Sequence, residues 1–215
     1  MSLIEHRPSP VSVPAGRERR SPALASARLE VICGCMFSGK SEELIRRLVR
    51  ADIGRQRVVA VKPAIDRRYH AGAIASHAGR QWPCAAVSDL AQIAGLVAEH
   101  DAQVLGIEEA QFFAPGLVDV VRRLVDGGVR VICAGLDLDA LGRPFGPMPA
   151  LACEAEQVTK LTAVCMVCSG EASRSQLLVD GAPVPWQDGP LINVGGAEAY
   201  EARCRACFTV PDRPV

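Results

Sequence analysis

The sequence predicts an α/β fold: a parallel sheet flanked by helices, followed by a small C-terminal unit tied by metal. Three observations carry that expectation. Short apolar runs, Leu29 to Cys33 foremost, alternate with stretches whose apolar residues recur at helical spacing. Between the first run and the first helical stretch stands Gly34-Cys35-Met36-Phe37-Ser38-Gly39-Lys40-Ser41, which fits G-x-x-x-x-G-K-[ST], the phosphate-binding loop or P-loop. Two Cys-x-x-Cys pairs, Cys165/Cys168 and Cys204/Cys207, lie near the C-terminal end with 35 residues between them.

Composition bounds the possibilities. The chain has 215 residues, 49% apolar and 22% charged, enough for one α/β domain and an appendage. Its 24 basic and 24 acidic residues cancel, so there is no global attraction for a nucleic-acid polymer. No apolar run approaches a membrane span. Nine cysteines behind no recognisable signal peptide are expected to be reduced thiols and metal ligands, which points to a cytoplasmic chain. Only 3 of the basic residues are lysines, against 21 arginines, so a lysine at position 40 is not background. A compact ammonium enters a phosphate cradle where a planar guanidinium does not.

In chain order, residues 1–27 carry Pro8, Pro10, Pro14 and Pro22 with little apolar periodicity and read as a disordered extension. Residues 28–150 read as the nucleotide-binding α/β domain. Leu29 to Cys33 is its first strand, and the helix opens at Ser41-Glu42-Glu43. Arg57 to Lys62 is a second strand, closed by Pro63, and a loop with glycine and histidine runs on to Trp82-Pro83. Asp89 to His100 is helical through Leu90, Ile93, Leu96 and Val97, and Ala102 to Ile107 is a strand. A helix opens at Pro115 and ends at Gly127-Gly128, before a strand from Val129 to Leu136. Asp137 to Met148 reads as a Gly- and Pro-rich loop, and Glu154 to Leu161 as a short element. Residues 151–215 form the metal-tied domain, with a hairpin turn at Val179-Asp180-Gly181-Ala182.

The chemistry expected of these parts follows from residue type. Backbone N–H groups of the loop Gly34 to Ser41 surround an anion, Lys40 reaches the β- and γ-phosphates of ATP, and the Ser41 hydroxyl ligates Mg²⁺. Glu108-Glu109-Ala110-Gln111 follows a buried strand, at the sheet end where open α/β folds bind ligands. One carboxylate there holds Mg²⁺ or its water, and a second accepts the proton of an attacking hydroxyl. On an extended chain the two point opposite ways. The four paired thiols close a tetrahedral zinc site that is structural because it has no open position; redox thiols or core packing are the alternatives. Cys33, Cys35, Cys84, Cys133 and Cys153 read as small buried hydrophobes, with Cys35 open to exposure in the loop. The histidines His6, His70, His77 and His100 have no ligand spacing.

Taken in order, several motifs resemble the small, zinc-containing, oligomeric type of thymidine kinase. They are the phosphate loop, Asp66-Arg67-Arg68-Tyr69, Glu109-Ala110-Gln111-Phe112-Phe113, Leu136-Asp137, Pro144-Phe145-Gly146, Lys160 to Cys168, Gly195-Gly196, Tyr200 and the last cysteine pair. The resemblance implies a RecA-like sheet, and a C-terminal zinc-binding lasso that covers the nucleoside. It implies transfer of the ATP γ-phosphate to the 5′-hydroxyl of thymidine, with deoxyuridine as a further substrate and a role in nucleotide salvage. By resemblance Glu109 is the catalytic base. Gly34 to Ser41, Glu108 to Gln111, Asp66 and Arg68 form the ATP site, with Ser41 and Glu108 on Mg²⁺. Met36, Phe112, Leu136, Phe145 and Tyr200 line the thymidine pocket, and Cys165, Cys168, Cys204 and Cys207 hold Zn²⁺. The family is commonly homotetrameric and inhibited by thymidine triphosphate (dTTP).

The chain departs from the family pattern at Glu108 for Asp, Ala140 for an aromatic residue, Leu177 for a basic one and Ser175 for Thr. Two other readings compete with the kinase. One is an ATP-dependent nucleic-acid binder with a zinc ribbon, against which the neutral charge counts. The other is a chain that keeps the fold and has lost the activity.

Overall fold

The computed structural model describes residues 27–65, 72–76, 79–187 and 199–214. The expectation of an N-terminal extension and the residues Asp66, Arg68, His6, His70, His77 and Gly195-Gly196 lie outside them. The first half of the chain runs β1 (Arg28–Gly34), α1 (Lys40–Ile53), β2 (Val58–Pro63), β3 (Ala73–Ala75), β4 (Gln81–Pro83), β5 (Ala85–Val87), α2 (Leu90–Glu99) and β6 (Val104–Ile107). It continues with α3 (Leu117–Asp126), β7 (Arg130–Gly135), α4 (Met148–Glu154), β8 (Gln157–Leu161), β9 (Ala163–Val164), β10 (Glu171–Ala172), β11 (Arg174–Val179), β12 (Ala182–Pro183) and β13 (Tyr200–Arg203).

Six strands, β5-β2-β6-β7-β1-β8 in that order, form one sheet in which every neighbouring pair is parallel. The alternation of side chains along β1 explains its two layers. Leu29, Val31 and Cys33 turn to a core with Ile93 and Val97 of α2, Leu117 and Val121 of α3, and Leu151 of α4. Ile32 turns to the other face, against Leu44, Ile45 and Leu48 of α1. Full burial of each such side chain contributes about 1.5–3 kcal/mol. Because both faces are covered, the strands read as continuous apolar runs, and the expected doubly covered sheet is the one found.

The differences are local. The segment up to and including Trp82-Pro83 holds an antiparallel pair, β3 with β4, and β5 follows as an edge strand of the main sheet. These strands have three residues each, too short for a period to show. The loop expected up to Met148 gives way there to α4, with Pro at its first turn, a position where a missing N–H costs nothing. Cys153, expected to be buried, is exposed, while Cys33, Cys35 and Cys133 are buried. Among the described residues no helix is long and apolar enough to cross a membrane.

Candidate active site

The phosphate loop leaves β1 at Gly34, whose φ of +144° lies where only glycine is comfortable; a Cβ there would run into the Leu161 carbonyl oxygen. Phe37 and Gly39 also take positive φ, 66° and 86°. Gly39 is the N-cap of α1 and offers no side-chain oxygen, so the first N–H groups of the helix stay uncapped by side chains. Those groups and the positive end of the helix dipole are what an anion meets at this end of β1. Ser38 Oγ donates to the Cys35 carbonyl at 2.8 Å, and Lys40 Nζ donates to the same oxygen at 2.7 Å. Burial pulls the pKa of Lys40 down, while Glu109, Glu108, Cys35 and Asp137 pull it back.

The loop is surrounded by carboxylates. Ser41 Oγ donates to Glu108 Oε1 at 2.5 Å, tying the first turn of α1 to the end of β6. Asp137, just past β7, accepts from Lys160 Nζ at 2.7 Å through Oδ2. Its Oδ1 is buried with no hydrogen-bond partner among the described residues. A hydroxyl and carboxylate oxygens gathered beside a phosphate cradle are the hard donor set that Mg²⁺ takes. Glu108 and Glu109 do not sit on one extended stretch: Glu109 has φ 51° and ψ 43°, so the chain turns there into a 3-10 turn over Ala110–Phe112. That turn, rather than strand alternation, separates the two carboxylates.

Gln111, placed with the ATP site by resemblance, makes a contact that sequence reasoning did not foresee. It is 2% exposed, its Nε2 donates to Glu109 Oε2, and its Oε1 accepts from the Leu136 N–H at 3.0 Å. A backbone donor fixes which amide atom is oxygen, so the nitrogen must face the carboxylate. The amide fits because position 135 is glycine; a Cβ there would stand 2.5 Å from Gln111 Oε1. Glu-x-Gln at the end of a buried strand is the signal that was available.

The residues expected around a nucleoside fall on different elements. Phe112 and Phe145 meet edge to face, with centroids 5.6 Å apart at 87°. The Leu136 N–H is tied to Gln111, the residue before Phe112. Phe145 rides on a loop held by Asp139, whose Oδ1 accepts from the N–H groups of Leu141 and Arg143 at 2.9 Å each. Met36 donates its N–H to Ser175 Oγ at 3.0 Å, so the hydroxyl kept at that position joins the loop to β11. Tyr200 on β13 pairs with Leu177 on β11. Leu177 and Ala140 are both buried. The expected hairpin turn is present, with Asp180 and Gly181 at φ 50° and 78° between β11 and β12.

The four cysteines come together. Their sulfurs all lie within 4.8 Å of one another, and Cys168 Sγ is 3.7 Å from Cys204 Sγ. A tetrahedral zinc with bonds of about 2.3 Å requires sulfur pairs about 3.8 Å apart, so the set fits the ion. Each pair turns tightly: Ser169 N donates to the Cys165 carbonyl at 2.8 Å, and Phe208 N to the Cys204 carbonyl at 3.0 Å. The Cys204 N–H, with those of Cys168 and Val167, draws the Cys165 thiol down to about 6 against the effect of burial. Thiolate is the form a metal binds. Cys35 is not part of this group; burial pushes its thiol up, and it donates to the Ala172 carbonyl at 3.3 Å.

Comparison with known proteins agrees with this arrangement. The family described as thymidine kinase matches residues 27–208. A protein of Deinococcus radiodurans named thymidine kinase is 53% identical over 196 residues, 87% of this chain and 92% of the relative. Another so named, from Deinococcus deserti, is 54% identical over 190 residues, covering 84% and 94%. A third, from Coprothermobacter proteolyticus, is 51% identical over 187 residues, covering 87% and 93%.

Proposed function

The chain belongs to the thymidine kinase family, and from that premise we propose that it transfers the γ-phosphate of ATP to the 5′-hydroxyl of thymidine, and of deoxyuridine, in nucleotide salvage. The observation that carries the proposal is the Glu109–Gln111 clamp beside the phosphate loop. In this reading Glu109 takes the proton of the 5′-hydroxyl as its oxygen attacks the γ-phosphorus, and ADP leaves with the charge of the broken bond. Lys40, the backbone N–H groups of Gly34 to Ser41 and the start of α1 hold the phosphates. Ser41 and Glu108 would hold Mg²⁺, which supplies neutralising charge on the phosphate oxygens. Asp66 and Arg68 belong to the ATP site as part of the same proposal.

Met36, Phe112, Leu136, Phe145 and Tyr200 form the thymidine pocket. The Phe112–Phe145 pair supports it as an apolar wall with a preferred edge-to-face geometry. Zinc held by Cys165, Cys168, Cys204 and Cys207 supplies rigidity to both ends of the lasso and takes no part in the chemistry. The proposal includes the division of the chain into 1–27, 28–150 and 151–215, a homotetramer, cytoplasmic location and inhibition by dTTP. A coupled assay with ATP, Mg²⁺ and a panel of nucleosides tests it. Turnover confined to thymidine and deoxyuridine is expected. Salt-dependent binding of single-stranded DNA with no nucleoside turnover would establish the zinc-ribbon reading instead.

A further inference from the structure

The opposite end of β1 carries charges that phosphoryl transfer does not use. Glu30 is 1% exposed and accepts from three guanidiniums. Arg28 Nε and Arg130 Nε both reach its Oε1 at 2.7 Å, and Arg47 Nη1 reaches Oε2 at 2.7 Å. Burial works to raise the pKa of Glu30, but Arg130, Arg28 and Arg47 more than reverse it, so the carboxylate is ionised. Arg47 is fully engaged, with Nε on Glu43 at 2.8 Å and Nη2 on Thr159 Oγ1 at 2.9 Å.

Arg28 and Arg130 are engaged differently. Each uses only its Nε, and their terminal nitrogens make no hydrogen bond among the described residues. Glu30 therefore holds two guanidiniums through Nε and leaves their Nη groups without a protein partner among the described residues, at the wall of a cavity. Arg50, on the adjoining turn of α1, has no ion-pair partner among the described residues. These groups border a cavity of about 570 Å³ whose wall holds five arginines and one carboxylate, with Ala51 and Ile53 as its apolar part. A concave site lined by one sign of charge concentrates counter-ions, and a planar fork held in place matches the oxygens of a phosphate group.

We propose that this cavity is a second anion site, separate from the phosphate loop, which takes an oligophosphate through Arg28, Arg50 and Arg130. Inorganic triphosphate and the triphosphate tail of a nucleotide share that chemistry. The site is tested by calorimetry on the full chain carrying Lys40→Ala, which disables the front cradle, with inorganic triphosphate as probe and no Mg²⁺. One triphosphate per chain is expected, weakening as salt rises. Adding Arg28→Gln and Arg50→Gln should reduce affinity about tenfold or more, and Arg50→Gln alone, on the exposed face of α1, should reduce it measurably without altering the melt. Equal affinity for triphosphate and ATP means that the phosphates alone are read, whereas tighter ATP means that Ala51 and Ile53 also carry the nucleoside. Absence of binding in the Lys40→Ala chain, or undiminished binding in the arginine variants, overturns the site. So does an arginine variant that loses binding only as its sedimentation changes, because this face is then a contact between copies of the chain and not the seat of the anion. None of these failures touches the kinase reading, which rests on the other end of the sheet.

Discussion

The two ends of β1 are electrostatic opposites. At the end where the strand enters the phosphate loop, one ammonium, Lys40, is held among Glu108, Glu109 and Asp137. At the other end one carboxylate, Glu30, is held among Arg28, Arg47 and Arg130. A lone cation among acids leaves room for a metal and its phosphates; a lone acid among bases leaves guanidinium forks in excess. The difference teaches that ion pairing alone does not mark a reactive site. At the front the groups stand next to or on turns with positive φ, at Phe37, Gly39 and Glu109. At the rear they sit on regular strand and helix, where geometry is fixed by the fold.

The comparison breaks most easily at the front. Glu109→Gln is expected to lower kcat about a thousandfold while ATP still binds, since general-base catalysis is worth two to four powers of ten; single-turnover kinetics with a nucleotide-binding titration decides it. Zinc comes next. A structural site supplies on the order of 10 kcal/mol of folding free energy to the unit that holds it. Chelation or Cys165→Ser should therefore abolish thymidine affinity while the cooperative melt of the sheet persists. Full thymidine affinity in a metal-free chain would end the staple idea.

At the rear, Glu30→Gln leaves three guanidiniums without their shared anion and should cost about 3–5 kcal/mol of stability, read by denaturant unfolding, with kcat little changed. A Glu30 variant that lost turnover but kept its stability would erase the distinction between the two ends. Gln111→Leu sharpens the front: turnover should fall about ten- to a hundredfold through kcat with KM for ATP nearly constant, because a base that is free to swing is misplaced, not absent. A KM effect alone would make Gln111 a plain binding residue.

The smallest effect is in pH. Hydrogen bonding to Arg46, opposed by burial and aided by Arg47, lowers Glu43 from 4.5 to about 2. Its folded pKa lies below the unfolded one, so its stabilisation is complete above about 4.5 and is lost as pH falls towards 2. Glu43→Gln should flatten the stability–pH curve in that window and leave neutral pH nearly unaffected.

Much of this was legible in the chain because some chemistry is written locally. The phosphate loop needs Gly34 and Gly39 at fixed spacing, and each Cys-x-x-Cys turn closes on its own backbone. The sheet strands announced themselves by burial on both faces. What stayed hidden depends on through-space pairing. β5 is too short for a pattern, and α4 was masked by Pro147 and Pro149, which favour turns but also suit a first helical turn. The Gln111 clamp needs Leu136 and Gly135, both distant in sequence. A glutamate in the middle of an apolar strand was the visible hint of the rear cluster, but its partners come from α1 and β7.

The seam between cradle and lasso is fastened by two bonds, Cys35 Sγ to the Ala172 carbonyl and the Met36 N–H to Ser175 Oγ, which span 137 and 139 residues of sequence. Ordering either flank through this seam lowers the entropy left for the other to lose. If, as proposed, the donor sits in the cradle and the acceptor under the lasso, their binding is coupled through these bonds, and whatever factor one changes for the other is returned in kind.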